Sequence, residues 1–187
     1  MMYSLFSDAW AALRLRFAPA EHYRYPAVVM AVALLVTGAV NAAAAVPIFG
    51  NDAGVLLFML LLTVLKWAVL SVSMSVVLHY FGAPKMKLFG FIAMTEFLLV
   101  PSIAVLYHPQ SLGLIGMIWQ SWILVVQIIG LARLSNLPGY RVLLGYIAYL
   151  GATMLLGGLM IALLHAVGIL DVNTMVEAMR QNAAAAK

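Results

Sequence analysis

A chain of 187 residues that is 66% hydrophobic and only 9% charged, with a mean hydropathy of +1.08, is not built for water; soluble domains are about 45–50% apolar and about 25% charged. Disorder is excluded too, since it needs low hydrophobicity and high net charge, and the lack of cysteine excludes disulfides, thiolate metal sites and a cysteine nucleophile. The formal charge of +4 comes from basic residues in short clusters between apolar runs, a pattern of membrane topology rather than of nucleic-acid binding.

The first element is short. Phe6, Trp10, Leu13 and Phe17 recur at i, i+4, i+7 and i+11, with Ser7, Asp8, Arg14 and Arg16 between them. That spacing predicts an amphipathic helix with aromatic anchors, suited to the headgroup plane. Ser4 or Ser7 is its candidate cap and Pro19 its stop. It reads as an interfacial anchor that sets the tilt of the first span; the alternative is a docking helix for a soluble partner.

Five apolar runs follow: Pro26–Ile48, Ala53–Phe81, Leu88–Tyr107, Leu112–Ala132 and Val142–Val167. Each is long enough for a bilayer core of ~30 Å, which takes about 20 residues of helix. Turn chemistry separates them: Pro47 with Gly50, Asn51 and Asp52; Gly82 with Pro84; Pro109; and Asn136 with Pro138 and Gly139. The second run exceeds a perpendicular crossing, so it must tilt, kink or emerge into the interface. The fold expected is all-α: a polytopic membrane helical bundle of about five transmembrane helices, four or six being the alternatives, preceded by the interfacial helix. The chain divides into an amphipathic segment over 1–25, a transmembrane domain over 26–168 and a tail over 169–187. In the tail, Asp171 caps a short helix with Val172, Met175, Val176 and Met179 as its apolar stripe.

Orientation follows from Lys and Arg in the short loops. Arg14, Arg16, Arg24, Lys85, Lys87, Arg133 and Arg141 fall on one side, and only Arg180 and Lys187 on the other. The charge bias puts the N-terminus in the cytoplasm and the C-terminus in the periplasm or a lumen, as an odd number of spans requires. The first run reads as an uncleaved anchor; a signal peptide would need an atypically long segment before it.

Ionisable groups inside a membrane are default candidates for function, at ~2.5–3.5 kcal/mol each on insertion scales. Lys66 and Glu96 qualify. Counting back from the turn between the second and third runs sets Glu96 level with Ser73, and Lys66 seven residues further along, ~10 Å away. An ion pair is therefore open rather than implied. Counting across the next turn sets Glu96 level with Gln120 to Trp122, so Ser73, Glu96 and Gln120 are expected to share one polar layer. That layer reads as helix-fastening hydrogen bonds or, alternatively, as an ion or proton path. The fifth run carries close-packing pairs, Ala148 with Ala152 and Gly158 with Ala162, for packing within the monomer or self-association. The histidines are scattered and no hydrolase, metalloprotease or phosphate-loop motif occurs, so no catalytic, cofactor or metal residue is assigned.

Several stretches together resemble the Yip family (the Ypt/Rab-interacting protein domain), in particular its small bacterial members. They are Ala9 to Phe17 followed by proline and Tyr23-Arg24, Lys87-Leu88-Phe89-Gly90-Phe91-Ile92-Ala93 leading to Pro101, and Ile118-Trp119-Gln120-Ser121-Trp122 before a basic loop and a small-residue fifth span. The resemblance implies five spans, a cytoplasmic N-terminus, an inner-membrane location and no catalytic residues. The DLxGP-type motif of the GTPase-binding eukaryotic relatives is absent. The expected function is non-enzymatic: organisation of the bilayer or assembly with a membrane-protein partner or a second copy. The alternative is a small transporter or channel subunit using Lys66, Glu96 and Gln120.

Overall fold

The computed structural model describes residues 2–185, and it is helical from end to end. The elements are α1 (Met2–Leu13), α2 (Ala27–Phe49), α3 (Ala53–Tyr80), α4 (Phe89–Phe97), α5 (Ile103–Tyr107), α6 (Pro109–Ser135), α7 (Gly139–Ala166) and α8 (Val172–Ala185). Five crossings are long and apolar enough to span a membrane: α2, α3, the α4–α5 unit, α6 and α7. The third is broken. Pro101 has no N–H to continue the ladder, and residues 100–102 form a 3₁₀ turn between α4 and α5. The second is continuous for 28 residues, ~42 Å at 1.5 Å per residue. Pro47, expected in the break after the first span, lies inside the last turn of α2.

Turn chemistry explains the ends. Asp52 caps α3 by accepting the Gly54 N–H at 2.8 Å, and Asp171 does the same for α8 through Asn173 at 2.9 Å. Besides Gly50 at the end of α2, four helices end on a residue of positive φ: Leu15, Gly82, Asn136 and Gly168. At each, paired N–H groups return to the last carbonyls, as in Arg16 N to Ala11 O and Leu15 N to Ala12 O. Leu15 is the non-glycine, non-asparagine case, so α1 stops there, before Pro19. Neither Ser4 nor Ser7 caps α1, because the helix is already formed at Met2.

The helix α3 is central, with α2 and α7 on its flanks and α4 in contact with both α2 and α3. The amphipathic α1 packs on α4 and α6 through Leu5, Ala9 and Ala12, which are buried, while Phe6 and Trp10 stay 54% and 57% exposed. Phe6 meets Phe97 edge-on at 5.1 Å between ring centroids. Phe97 lies eight residues into α4, ~12 Å from its start, so the Phe6 ring meets the third span well inside its length. Between α1 and α2, the segment over 15–26 is anchored on Phe91, which meets Tyr23 at 5.2 Å and Phe17 at 6.1 Å. The tail helix α8 returns to α2 and buries Met175 with Val55, Phe58, Leu164 and Leu170.

Gly90 sits where the Tyr23 carbonyl passes, and a Cβ there would collide with backbone; Gly151 on α7 faces open space. Gly90→Ala should therefore lower stability by about 1–3 kcal/mol, as overpacking does. Gly151→Ala should stay within about 1 kcal/mol of the parent. Thermal unfolding in detergent of the two variants side by side checks the contrast.

Candidate functional site

The polar layer forms among α4, α6 and α7. Gln127, 5% exposed, donates from Nε2 to Thr95 Oγ1 at 2.7 Å, and Thr95 donates to the Ile92 carbonyl at 3.0 Å. Tyr146 donates its hydroxyl to Gln127 Oε1 at 2.6 Å. A side-chain amide carries donor and acceptor together, so one glutamine joins two neighbouring helices in a directed chain. Hydrogen bonds of this kind hold membrane helices together at ~0.6–2 kcal/mol each.

Glu96 is half-buried beside this chain, and its carboxylate makes no hydrogen bond or ion pair among the described residues. Lys66 on α3 and Tyr146 and Tyr149 on α7 lie within its electrostatic range. Lys66, also half-buried, does not pair with it; the one ion pair among the described residues joins His22 and Asp8. Ser73 is half-buried and Gln120 exposed, and neither enters the layer. The neighbouring Ser71 bonds back to the Trp67 carbonyl at 2.7 Å, and Ser75 to the Met86 carbonyl at 3.1 Å.

The expected layer of Ser73, Glu96 and Gln120 is thus corrected to Thr95, Gln127 and Tyr146 beside Glu96. Gln120 and Gln127 are seven residues apart, on nearly the same helix face; depth separates them. Matching depths by residue count assumes uniform helices on both sides of the turn. The 3₁₀ stretch at Val100–Ser102 rises ~2.0 Å per residue rather than 1.5, which lengthens the third span by only about one residue and so covers part of the offset between Thr95 and Gln127. The sequence did carry a signal for Gln127, a second amide in an apolar run.

Two tryptophans fasten the ends of α4. Trp67 on α3 donates its indole N–H to the Phe89 carbonyl at 2.9 Å, and Trp119 on α6 donates to the Leu98 carbonyl at 2.9 Å. The second bond lies at the break, where Ser102 also donates to the Leu99 carbonyl at 2.6 Å. Irregular backbone at membrane depth is tolerated where protein satisfies it, and these donors do so.

Outside the spans, Asp8 anchors α1. Tyr25 donates to its Oδ2 at 2.6 Å, and His22 Nε2 lies 2.9 Å from its Oδ1. Burial pushes the Tyr25 phenol well above its ordinary value of 10.0, and the bond to Asp8 adds to the shift. His79 and His165 sit at helix C-termini, each with Nδ1 near a carbonyl of the following turn, at 2.9 and 3.0 Å.

Of the cavities, one of about 330 Å³ opens at the basic end among Phe17, Glu21, Lys85 and Arg133. Another, of about 490 Å³ and lined by apolar side chains, lies between α1 and the broken third span. Neither is lined by Glu96. Compared with protein-family models, with curated proteins and with solved structures, the chain matches none. The fold itself defines the class: an α-helical, multipass integral membrane protein.

Two consequences are measurable. Gln127→Leu removes both of the glutamine's bonds and strands the Tyr146 hydroxyl, while Thr95 keeps its bond to the Ile92 carbonyl, so it should cost about 1–3 kcal/mol, whereas Gln120→Leu at an exposed site should be neutral. Thermal unfolding in detergent compares them. Tyr25 holds its proton more tightly folded than unfolded, so its contribution is complete below about pH 10 and fades as pH rises further. With a fluorophore on Tyr3→Cys in a chain otherwise free of cysteine, α1 should loosen above pH 10. Tyr25→Phe should loosen it at neutral pH, by about 1–2 kcal/mol, and flatten the alkaline response.

Proposed function

We propose that this chain is a non-enzymatic, Yip-like membrane protein that acts by assembling with other membrane proteins or with itself and by organising the surrounding bilayer. The observation that carries this reading is the use of the intramembrane polar groups. Gln127, Thr95, Tyr146, Trp67 and Trp119 are all spent on bonds between the chain's own elements, and Asn41 donates to Thr63 across α2 and α3 at 3.1 Å. Polar side chains used this way fasten helices. The surface that assembly would use is α7, whose Leu155 and Leu159 are exposed and whose Gly151 and Gly158 face open space. The seven basic residues at the opposite end of the spans from the tail support a cytoplasmic N-terminus in a bacterial inner membrane, with the C-terminus periplasmic.

One observation favours a second reading, a small transporter or channel subunit. The third span is discontinuous one turn beyond Glu96, and the Glu96 carboxylate has no hydrogen-bond partner among the described residues while Lys66 lies in its range. Broken helices beside charged groups near the midplane are a transporter feature. Proton flux into vesicles containing the purified chain separates the two. Assembly predicts flux equal to empty vesicles, and Glu96→Gln and Lys66→Met altering only yield or melting temperature. Flux above that background, abolished by Glu96→Gln in protein of unchanged abundance, would transfer the function to transport.

A further inference from the structure

The cavity between α1 and the third span has the shape and chemistry of half a lipid. It is lined by Phe6, Trp10, Val36, Phe97, Pro101 and Trp119 among others, and an apolar space of this kind does not hold water. It is bordered on one side by α1, from Met2 to Leu13, and on the other by the third span from Phe97 to Pro101. The two ends differ. The deep end closes on Pro101 and Trp119. The other end is at Trp10, where the Arg14 guanidinium sits over the indole, 4.7 Å from its centroid, and both Arg14 and Arg16 are exposed. The acid of α1, Asp8, is held by Tyr25 and His22, so it does not answer these arginines.

We propose that this groove binds one acyl chain of an anionic phospholipid, the chain lying along α1 and the phosphate meeting Arg14. The occupant is a lipid because the groove is lined by apolar side chains and its cation stands at the edge, on Trp10, the charge pattern of one phospholipid. The inference rests on membrane insertion alone and is independent of whether the chain assembles or transports.

The test uses the full chain in phosphatidylcholine vesicles doped with phosphatidylglycerol carrying a diazirine in its acyl chain, or with the matching phosphatidylcholine probe. Adducts are mapped by mass spectrometry. Labelling of Phe6, Val36 and Phe97 should be stronger with the anionic probe, while Leu155 and Leu159 on the outward face of α7 should label equally with both. Arg14→Gln should lower anionic labelling of the groove about fivefold, the worth of one basic side chain at an anionic surface, and leave α7 unchanged. Val36→Trp, which fills the groove without touching a charge, should lower groove labelling by both probes. Equal labelling of the groove by both probes in the native chain, or an anionic preference that survives Arg14→Gln, would overturn the proposal. So would a groove that neither lipid labels, whether or not a cross-linker joins two copies across it.

Discussion

In a bilayer, every backbone N–H and C=O must find a partner within the protein, because hydrocarbon offers none. Four of the five spans meet this demand with continuous helix. The third does not, since Pro101 interrupts it, and its neighbours are organised around the carbonyls so released. Trp119 of α6 reaches the Leu98 carbonyl, the Ser102 hydroxyl joins its own backbone N–H on the Leu99 carbonyl, and Trp67 of α3 holds the opposite end of α4. The break thus carries the bond that ties α6 to the end of α4, while Trp67 ties α3 to its start. With α6 in place, Gln127 comes within reach of Thr95 and Tyr146.

The N-terminal segment depends on the same helix. Gly90 lets the Tyr23 carbonyl pass, Phe91 stacks against Tyr23 and Phe17, and α1 follows down the side of α4 as far as Phe97. The basic residues that bias topology have a second use here. Arg133 donates to the Leu15 carbonyl at 2.9 Å, steadying the left-handed turn that ends α1, and Arg141 donates to the Phe81 carbonyl at 3.3 Å, at the end of α3. Cations near helix C-termini answer the negative end of the helix dipole, so charge that orients the chain also stabilises its turns.

Helix boundaries were legible because their causes are local. Asp52, Gly82, Asn136, Pro138 and Asp171 set the ends where turn chemistry placed them. The exceptions have local causes as well: Pro47 is absorbed in a final helical turn, and Leu15 adopts a conformation usually left to glycine. The face of α1 was harder to read. Its aromatic stripe marks an anchor for the headgroup plane and does not name the inward face; the smaller Leu5, Ala9 and Ala12 pack inward and the two large rings remain largely outside, because close approach to α4 and α6 favours small side chains. In the polar layer, Glu96 was legible as an ionisable group in an apolar run, but its neighbours were not.

The sequence alone determined the solvent of this protein, its five crossings and most of its turns, since hydropathy, helix rise and turn propensity act over a few residues. Only the tertiary structure decided that Gln127 rather than Gln120 meets Thr95, that Lys66 stands apart from Glu96, and that α1 runs beside the third span with an apolar groove between them. Those pairings depend on relative depth and rotation of helices. A count along uniform helices contains neither quantity, and the break at Pro101 is one place where such a count fails.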